Sequence, residues 1–497
     1  MIPVIDKYYN KVSNNVKKIN LILKFKLFCL FLRSEPGIIV PNNILHKMTN
    51  KKDLSRRSFI SNSALATIGT LGAAGLINSC SGSGTKKEEI KLPALLNEAP
   101  DGKVLKAGLI GCGGRGTGAA INFLDAGPNL QITALGDVFQ DRLDKCRAEL
   151  KKQKNVDIPD EKCFLGFDAY EKVMDSGVDI VLLTTPPHFR PAHVEAAVKA
   201  GKHIFMEKPC AVDPVGARSV LVSAERAKQK ELCMVSGTIR RVQKDFMETQ
   251  RRVTNGEIGE IVSAHIIRNG GSLWVIRRQK GMSDMEYMLR NWANWCWLSG
   301  DHIVEQFIHE IDVMNWYMGK NPVKAIGWGG RQRRVTGDQY DFFSIEYIYD
   351  NGMQTHCAAR QITGCSNMTH QLITGTNGFA NAKGTIFNLK GEEIWKYPYP
   401  EEGAADQTWK VKDPFVQEHI NLVTAIRTGN VISDAVAQVN STLITIMGRM
   451  SAYTGKDVTW EEVMNSDLYL GPKTYAFGPV VPVIPETIPV IGAEANV

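Results

Sequence analysis

The feature that most constrains the fold of this chain is a glycine-rich loop between an apolar run and a helical stretch. Residues 111–116, with the sequence GCGGRG, have the spacing G-x-G-x-x-G and directly follow a predicted strand at residues 104–110. Glycines at these positions permit a tight turn and let backbone N–H groups approach a pyrophosphate at a helix start. The loop therefore predicts a dinucleotide-binding βαβ unit. The alternative is a loop that packs a helix on a strand without a ligand.

An acidic residue ends the second predicted strand, Ile132–Asp137, about 20 residues after the loop. Asp137 is placed to accept hydrogen bonds from ribose hydroxyls, and its negative charge repels a 2′-phosphate. NAD is therefore predicted, and NADP is less favoured. Arg142, in the helix that follows, is either a solvated residue or a neighbour of the adenine.

Strands and helices alternate from residue 104 to residue 235, which predicts a Rossmann domain with a doubly wound parallel sheet. Further strands are predicted at 179–185 and 203–206, and helices at 140–152 and 191–200. After about residue 235, apolar and polar residues alternate with period two in several stretches. This pattern predicts a second, α+β domain over 236–470 with an open, mostly antiparallel sheet. Its predicted strands are 261–268, 323–328, 342–349 and 353–361, with Asn351-Gly352 as a hairpin turn. Helices near 415–455 are expected to pack back on the Rossmann domain, and residues 471–497 to form an extended tail.

Polar residues follow two of the buried strands, where dinucleotides lie in such sheets. Thr185, Pro186 and His188 come after the strand at 179–185. His188 is expected beside the nicotinamide half, or else is a plain loop histidine. Lys208, in Glu207-Lys208-Pro209, follows the next strand. An ammonium there is able to hold a substrate hydroxyl and favour its alkoxide, whereas the alternative is an exposed strand-end lysine.

A carboxylate and a histidine four residues apart form the last chemical element, Glu305 and His309. On one helix they would share a face, and the carboxylate would orient the imidazole and raise its basicity. Such a histidine can take a hydroxyl proton as hydride leaves the same carbon. The alternative is a surface ion pair. His302 and Asp312 are interpreted as loop and helix-orienting residues, and no metal site is predicted because the spacing of His302, Glu305 and His309 does not favour one.

Together these elements resemble the glucose–fructose oxidoreductase, inositol dehydrogenase and rhizopine-catabolism (Gfo/Idh/MocA) family over roughly residues 104–470. The resemblance implies that Lys208 is the family's lysine and His309 its catalytic histidine. Glu305 stands where an aspartate is usual, and Phe189-Arg190 stands where a Trp-His pair is common. It also implies an open sheet that often packs against a partner subunit, hence a homo-oligomer, either dimer or tetramer. The residues expected to bind the cofactor are Gly111, Gly113, Gly114, Arg115, Gly116, Asp137, Arg142, Thr185, Pro186, His188, Glu207 and Lys208.

Arginine and tryptophan residues are expected on the substrate side of the second domain. Arg240 and the run Arg290-Asn291-Trp292 are predicted to line it. Trp292, Trp295 and Trp297 either stack on sugar rings or belong to the core. The predicted activity is NAD(P)-dependent oxidation or reduction of a hydroxyl of a sugar, glycoside or cyclitol, with tightly bound nucleotide. One rival is an NAD-dependent, redox-neutral glycosidase, a reading disfavoured by the retained Glu-Lys-Pro motif. The other is a carbohydrate-binding lipoprotein without enzymatic activity.

The positive charge of the chain lies in its first residues. Residues 1–57 hold 12 Lys+Arg and 3 Asp+Glu, whereas the other 440 residues hold 47 Lys+Arg and 49 Asp+Glu. Without the leader the chain has no excess of positive charge, so it does not resemble a nucleic-acid-binding protein. Ser55-Arg56-Arg57-Ser58-Phe59 resembles a twin-arginine export signal, and an apolar stretch then leads to Cys80, a candidate lipidation site. We expect a periplasmic or cell-surface lipoprotein that meets the membrane only through its lipid. The alternative is an ordinary amino-terminal helix.

The leader is predicted to occupy residues 1–80, and a Ser/Gly/Lys-rich tether 81–103. Met48 directly precedes a basic pair, so we hypothesise that translation starts there and that residues 1–47 are an annotation artefact.

Overall fold

The protein was analysed as a computed structural model, which describes residues 95–399 and 413–480. The twin arginines, Cys80 and Met48 lie outside the described residues, so the export, lipidation and start-site expectations stay predictions. In the part of the chain that is described, no helix is long and apolar enough to cross a membrane.

The first domain is built on a six-stranded sheet in which all strands are parallel, in the order β3-β2-β1-β4-β5-β6. Strand β4 consists of four fully buried aliphatic residues, as expected for a parallel strand covered by helices on both faces. The strands are β1 (Leu105–Ile110), β2 (Leu130–Asp137), β3 (Cys163–Leu165), β4 (Ile180–Leu183), β5 (His203–Met206) and β6 (Met234–Ser236). The helices between them are α1 (Gly114–Leu124), α2 (Gln140–Lys154), α3 (Ala169–Asp175), α4 (Arg190–Lys199) and α5 (Pro214–Gln229).

The second domain contains a nine-stranded sheet in the order β14-β13-β12-β11-β7-β10-β9-β8-β15. Only β7 and β10 pair in parallel, and the other neighbours are antiparallel. The predicted hairpin at Asn351-Gly352 joins β9 to β10, with Gly352 at φ +82°. The strands are β7 (Ile261–Gly270), β8 (Lys324–Gly330), β9 (Phe342–Ile348), β10 (Gln354–Gln361), β11 (Met368–Gly375), β12 (Gly378–Asn381), β13 (Thr385–Asn388), β14 (Glu393–Lys396) and β15 (Val458–Thr459).

Helices cover one face of this sheet, and two of them return to the first domain. Helix α11 (Pro414–Thr428) packs on α1 and β6, and helix α12 (Ala435–Thr454) packs on α5 and β8. The strand pairings confirm both predicted sheets, a parallel Rossmann sheet and a mostly antiparallel second sheet. The helices are α6 (Lys244–Thr254), α7 (Asp284–Arg290), α8 (Cys296–Ser299), α9 (His302–Glu305), α10 (Ile308–Met318), α11 (Pro414–Thr428), α12 (Ala435–Thr454) and α13 (Trp460–Asn465).

The described end of the chain, after α13, crosses the first domain. The Phe477 ring packs on the rings of Phe139 and Phe167, with centroids 5.8 and 5.4 Å apart. The Tyr475 hydroxyl is 2.7 Å from His188 Nε2. The described part of the predicted tail, residues 471–480, thus packs on the first domain through its aromatic side chains, and residues 481–497 lie outside the described residues.

Candidate active site

The glycine loop connects β1 to α1 in a conformation that other residues resist. Gly111 has φ +98°, in the left-handed region that favours glycine. A Cβ on Gly116 would lie 1.8 Å from the carbonyl oxygen of Gly111, so the first turn of α1 approaches the loop more closely than any side chain allows. Thr184 locks this approach, because its hydroxyl donates to the same carbonyl at 2.7 Å. The backbone N–H groups of the loop therefore stand at a helix start, where a phosphate binds.

Asp137 ends β2 beneath this loop and is 8% exposed. Its carboxylate accepts from the N–H of Cys112 at 2.7 Å and of Phe139 at 2.9 Å, which holds it against both βα turns. Burial raises the pKa of Asp137, and the nearby charge of Arg142 opposes that shift. The predicted place of Asp137, at the strand end beside the glycine loop, matches the structure.

A cavity of about 960 Å³ opens over the loop. One wall comes from the first domain and the opposite wall from the second. Gly114 has open space where a Cβ would stand, and a Cβ on Gly113 would meet only the Arg142 side chain at 3.8 Å. An exposed backbone cradle, a strand-end carboxylate and this volume fit a dinucleotide such as NAD. Among the lining residues are Gly111, Gly113, Gly114, Arg115, Gly116, Asp137, Arg142, Thr185, Pro186, Trp274, Ile276, Leu289, Arg290 and Trp292.

Arg115 and Glu207, both expected at the cofactor, bind each other. Arg115 Nε donates to Glu207 Oε1 at 2.5 Å, and the guanidinium lies 4.6 Å from the Phe415 ring. Glu207 also accepts from the N–H of Lys208 at 3.1 Å and does not line the cavity. The pair therefore connects the glycine loop to the strand end that carries Lys208.

His188 does not line the cavity, which corrects its expected place beside the nicotinamide half. Its ring is buried beside Trp297, with centroids 5.2 Å apart, and its Nε2 is bonded to the Tyr475 hydroxyl. Burial lowers the pKa of His188 to about 4. The physical reason is the returning chain end, which covers this loop and was not visible as a neighbour in sequence.

Lys208 follows the end of β5 and is joined to Pro209 by a cis peptide bond. Its Nζ donates to the carbonyl oxygen of Glu305 at 2.5 Å and to Glu305 Oε1 at 2.7 Å. Both side chains are only 11–12% exposed. Lys208 is therefore a fixed, partly desolvated ammonium and not an exposed strand-end lysine.

Glu305 and His309 are not on one helix, which corrects the sequence-based expectation. Helix α9 ends at Glu305 and α10 begins at Ile308. The N–H groups of both Gln306 and Phe307 are bonded to the carbonyl of His302, so the helical register slips between the two short helices. As a result Glu305 is bonded to Lys208, and its expected pairing with His309 is absent from the structure.

His309 is half-buried, and its ring makes no hydrogen bond with the residues that the structure describes. Burial, followed by the charges of Lys208, Arg268 and Arg240, holds its pKa well below the usual range. A histidine of this kind is neutral at pH 7 and has a free nitrogen lone pair. Its free ring nitrogen is a proton acceptor, but the lowered pKa makes it a weaker base than free imidazole, which corrects the expected rise in basicity.

A charged layer surrounds His309. Glu310, fully buried, accepts from Arg268 Nη1 at 3.0 and 3.1 Å and lies 3.4 Å from Arg240 Nη2. Arg240 also lines a small, narrow cavity together with Lys208 and His309, so the structure brings these three predicted site residues together.

Asp312 and His302 have structural contacts. Asp312 takes a bidentate ion pair from Arg241, with distances of 2.9–3.1 Å, and a hydrogen bond from the Ser441 hydroxyl at 2.7 Å. His302 is buried against the Phe343 ring at 5.0 Å. In the described part of the chain, no group of three or more His, Cys, Asp or Glu side chains is arranged to hold a metal ion.

Arg290 and Asn291 do not lie beside His309, so their expected substrate contacts are corrected. Arg290 pairs with Asp141 at 3.0 Å and stacks over Phe139 at 4.0 Å, on the wall of the large cavity. Asn291 is fully buried, and its amide holds the backbone of Ile276 at 2.7 and 3.1 Å. The reason is the path of the chain from residue 271 to 292, which turns back over the cofactor side.

Two of the three tryptophans belong to the hydrophobic packing. Trp297 is buried with Met288, whose sulfur accepts from its indole N–H, and the partly buried Trp295 packs on Tyr287 at 6.3 Å. Trp292 lines the large cavity, with Trp274 beside it at 6.0 Å.

Sequence reasoning missed Arg268, Glu310 and Trp274. Arg268 belongs to a predicted strand. The alternation of apolar and polar residues does not show whether a strand arginine faces a cleft or the solvent. Glu310 directly follows His309, which is the one signal that pointed to it. A fully buried carboxylate needs cationic partners from other elements, and these are visible only after folding.

Comparison with known proteins identifies the two domains. A model of the oxidoreductase family GFO_IDH_MocA, NAD-binding Rossmann fold, matches residues 105–236, and a model of a GFO/IDH/MocA C-terminal domain matches residues 246–381. The match to the first model confirms the prediction of NAD as the cofactor and of an oxidoreductase.

Curated relatives include two inositol dehydrogenases and a glycosyl hydrolase. The scyllo-inositol 2-dehydrogenase (NAD(+)) of Bacillus subtilis is 23% identical over 55% of this chain and 72% of its own length. The myo-inositol 2-dehydrogenase of Thermotoga maritima is 27% identical over 44% of this chain, and the match spans only 55% of its length. A glycosyl hydrolase family 109 protein of Shewanella baltica is 23% identical over 66% of this chain and 73% of its length.

The fold is shared with a crystal structure of scyllo-inositol dehydrogenase from Lactobacillus casei with bound NAD(H) and scyllo-inositol. The TM-score is 0.54 at 19% identity, covering 72% of this chain and 99% of that chain. Since family models match both domains and together cover more than half of its length, the chain belongs to the GFO/IDH/MocA family of NAD-binding oxidoreductases.

Proposed function

We propose that the chain is an NAD-dependent dehydrogenase that oxidises a hydroxyl group of a sugar, glycoside or cyclitol. The observation that carries this proposal is the pairing of a fixed ammonium with a neutral, unbonded imidazole. Lys208 and His309 line one small cavity, and Glu207, next to Lys208, binds the arginine of the glycine loop. The names of the inositol dehydrogenase relatives support the cyclitol class.

Two residues of the small cavity have different roles in the oxidation, one in orienting the substrate oxygen and one in accepting the proton. Lys208 Nζ, held by Glu305, orients the substrate oxygen and stabilises the negative charge that develops on it. His309 accepts the hydroxyl proton at a ring nitrogen, and the C–H hydrogen leaves the same carbon with its electron pair. Bound NAD supplies the acceptor for that hydride.

We also propose that the nucleotide stays bound through turnover. The second domain and its Arg290–Asp141 ion pair cover one side of the large cavity. An exported enzyme, as the leader suggests, meets little free NAD. The net reaction would then be balanced by passing hydride to a second sugar or back to the first.

The second candidate is a redox-neutral glycosidase, favoured by the match to the family 109 protein over 66% of the chain. Such an enzyme oxidises the sugar transiently, eliminates the aglycone, adds water and reduces the product again. The same proton acceptor and ammonium serve its first and last steps.

One assay separates the candidates. The purified full chain is mixed with free sugars, nitrophenyl glycosides and inositols, and nicotinamide absorbance and aglycone release are followed in the same sample. A rise in absorbance without aglycone release supports the dehydrogenase. Aglycone release without net reduction supports the glycosidase. If neither signal appears and no nucleotide is recovered after denaturation, both candidate activities are contradicted, and a carbohydrate-binding protein is favoured.

We propose export as a lipoprotein with Cys80 as the lipidated residue. The order of paired arginines, apolar stretch and cysteine supports this. Membrane fractionation tests it, because Cys80→Ser should release the protein from the membrane fraction, whereas Cys365→Ser should not.

We further propose a homo-oligomer formed through the open face of the nine-stranded sheet. Ile326, Trp328 and Met368 are 40–48% exposed, and Ile326 and Trp328 alternate with buried residues of β8. Trp328→Lys should shift the mass measured by light scattering to that of a monomer. An unchanged mass would contradict this interface.

A further inference from the structure

Positive charge exceeds negative charge in the layer around His309. Lys208, Arg240 and Arg268 supply three cations, whereas Glu305 and Glu310 supply two carboxylates. The next carboxylate, Asp312, is already held by Arg241. With His309 neutral, these side chains carry one more positive than negative charge, because Arg240 and Arg268 share Glu310.

Arg240 is the less satisfied of the two arginines. Its single contact with Glu310 is 3.4 Å long, whereas Arg268 reaches both oxygens of that carboxylate at 3.0 and 3.1 Å. Arg240 Nε is buried and has no hydrogen-bond partner in the described part of the chain. The Arg240 side chain is 20% exposed, so its guanidinium is accessible to a ligand, and its planar set of donors is suited to a bidentate acceptor.

The place of Arg240 connects this donor to the chemistry. It borders the small cavity that Lys208 and His309 also line. The Phe246 ring packs on one side of the guanidinium, with its centroid 4.8 Å from the guanidinium carbon. An acceptor that binds Arg240 would therefore belong to the molecule whose hydroxyl meets His309.

We propose that the substrate carries a carboxylate group, as in a uronic acid, and that Arg240, with Arg268 beside it, recognises that group. The inference rests on the proposed dehydrogenase or glycosidase function. A carboxylate matches the excess of one positive charge, whereas a phosphate ester carries nearly two negative charges at pH 7. The carboxylate takes no part in the redox step and only selects the sugar and its orientation.

Matched substrate pairs test this with the full chain. Methyl glucoside, galactoside and mannoside are compared with the corresponding methyl uronosides, and galactose 6-phosphate and galactose 6-sulfate are included. We expect at least one uronoside to have a kcat/KM at least tenfold above its neutral partner. In Arg240→Met that preference should fall at least tenfold, chiefly through KM, and in Arg268→Gln by less.

Arg252 offers a matched control. It too lies over an aromatic ring, Trp395 at 4.4 Å, and pairs with a glutamate, Glu248 at 3.1 Å. Arg252→Met should therefore leave the uronoside preference unchanged. Thermal melting of each variant shows whether it is folded. If Arg240→Met does not fold, the comparison of uronosides with neutral sugars in the wild type still tests the inference.

The outcomes separate this inference from the function it rests on. If neutral sugars are oxidised at rates equal to or above those of uronosides, the proposal of a substrate carboxylate is wrong, and the proposed dehydrogenase function is unaffected. Preference for the phosphate or sulfate ester overturns the carboxylate in favour of another anion. A uronoside preference that survives in both arginine variants overturns their assignment. Absence of any turnover, with no bound nucleotide, overturns the inference and the proposed function together.

Discussion

The large cavity over the glycine loop and the small cavity beside His309 are built in different ways. In the large cavity the glycine loop offers backbone N–H groups, and what matters there is the absence of side chains. Around the small cavity three cationic and two anionic side chains from separate elements pair with one another, with one positive charge in excess. A substitution in the first should therefore act through shape, and one in the second through charge and proton transfer.

The largest effect is expected at the proton acceptor. His309→Ala should lower kcat by about 10²–10⁴-fold, because no other described group stands in place to take the hydroxyl proton. Lys208→Ala should have a similar effect through loss of the charge on the substrate oxygen. Nucleotide recovered from denatured protein should equal that of wild type in both. Lys202→Ala, at the other end of the same strand, is the control, and normal turnover in either active-site variant would refute the assigned roles.

Shape is tested by two glycines in the first turn of α1. Gly116→Ala should lower the free energy of unfolding by about 2–3 kcal/mol and abolish nucleotide binding, because its Cβ would overlap the Gly111 carbonyl. Gly114→Ala has open space and should change the free energy of unfolding by less than about 1 kcal/mol. Denaturant titration measures both. Equal stability of the two variants would contradict the close approach of helix and loop.

Acid should destabilise the first domain through His188. Its pKa is about 4 in the folded protein and about 6.5 in the unfolded chain, so the unfolded chain binds the proton first as the pH falls. Stability from this group is complete above pH 6.5 and declines below it. Between pH 7.5 and pH 5 the wild type should lose about 2 kcal/mol more than His188→Gln.

Denaturant titrations at the two pH values measure this difference, with His370→Gln, on the open face of the second sheet, as the control. A His188→Gln protein with the same acid sensitivity as wild type would show that this buried ring is not the cause.

The smallest effect is expected at the ion pair across the large cavity. Arg290 and Asp141 are partly exposed, so breaking the pair is worth at most about 1 kcal/mol, or up to fivefold in nucleotide dissociation rate. Arg290→Met should speed dissociation by that amount at low salt and by less at high salt. Arg278→Met, which also loses a surface ion pair and a stacked ring, is the control. An unchanged dissociation rate would separate this ion pair from nucleotide retention.

Sequence reasoning reached the two cavities unequally. Local pattern placed the glycine loop, Asp137, Thr185 and Pro186, because a parallel strand and its following turn are contiguous in the chain. It placed Lys208 for the same reason. It misplaced His188, Arg290 and Asn291, because the segments that cover or bond them come from distant parts of the chain.

By itself the sequence determined the alternation of strands and helices, the glycine loop and the residue types able to move a proton, since these depend on spacing along the chain. Only the tertiary structure decided which charges meet. The slip between α9 and α10 turned Glu305 toward Lys208 and left His309 unbonded, and the fold placed two arginines on one buried glutamate. Burial and electrostatic balance depend on groups brought together from distant positions, so no local pattern records them.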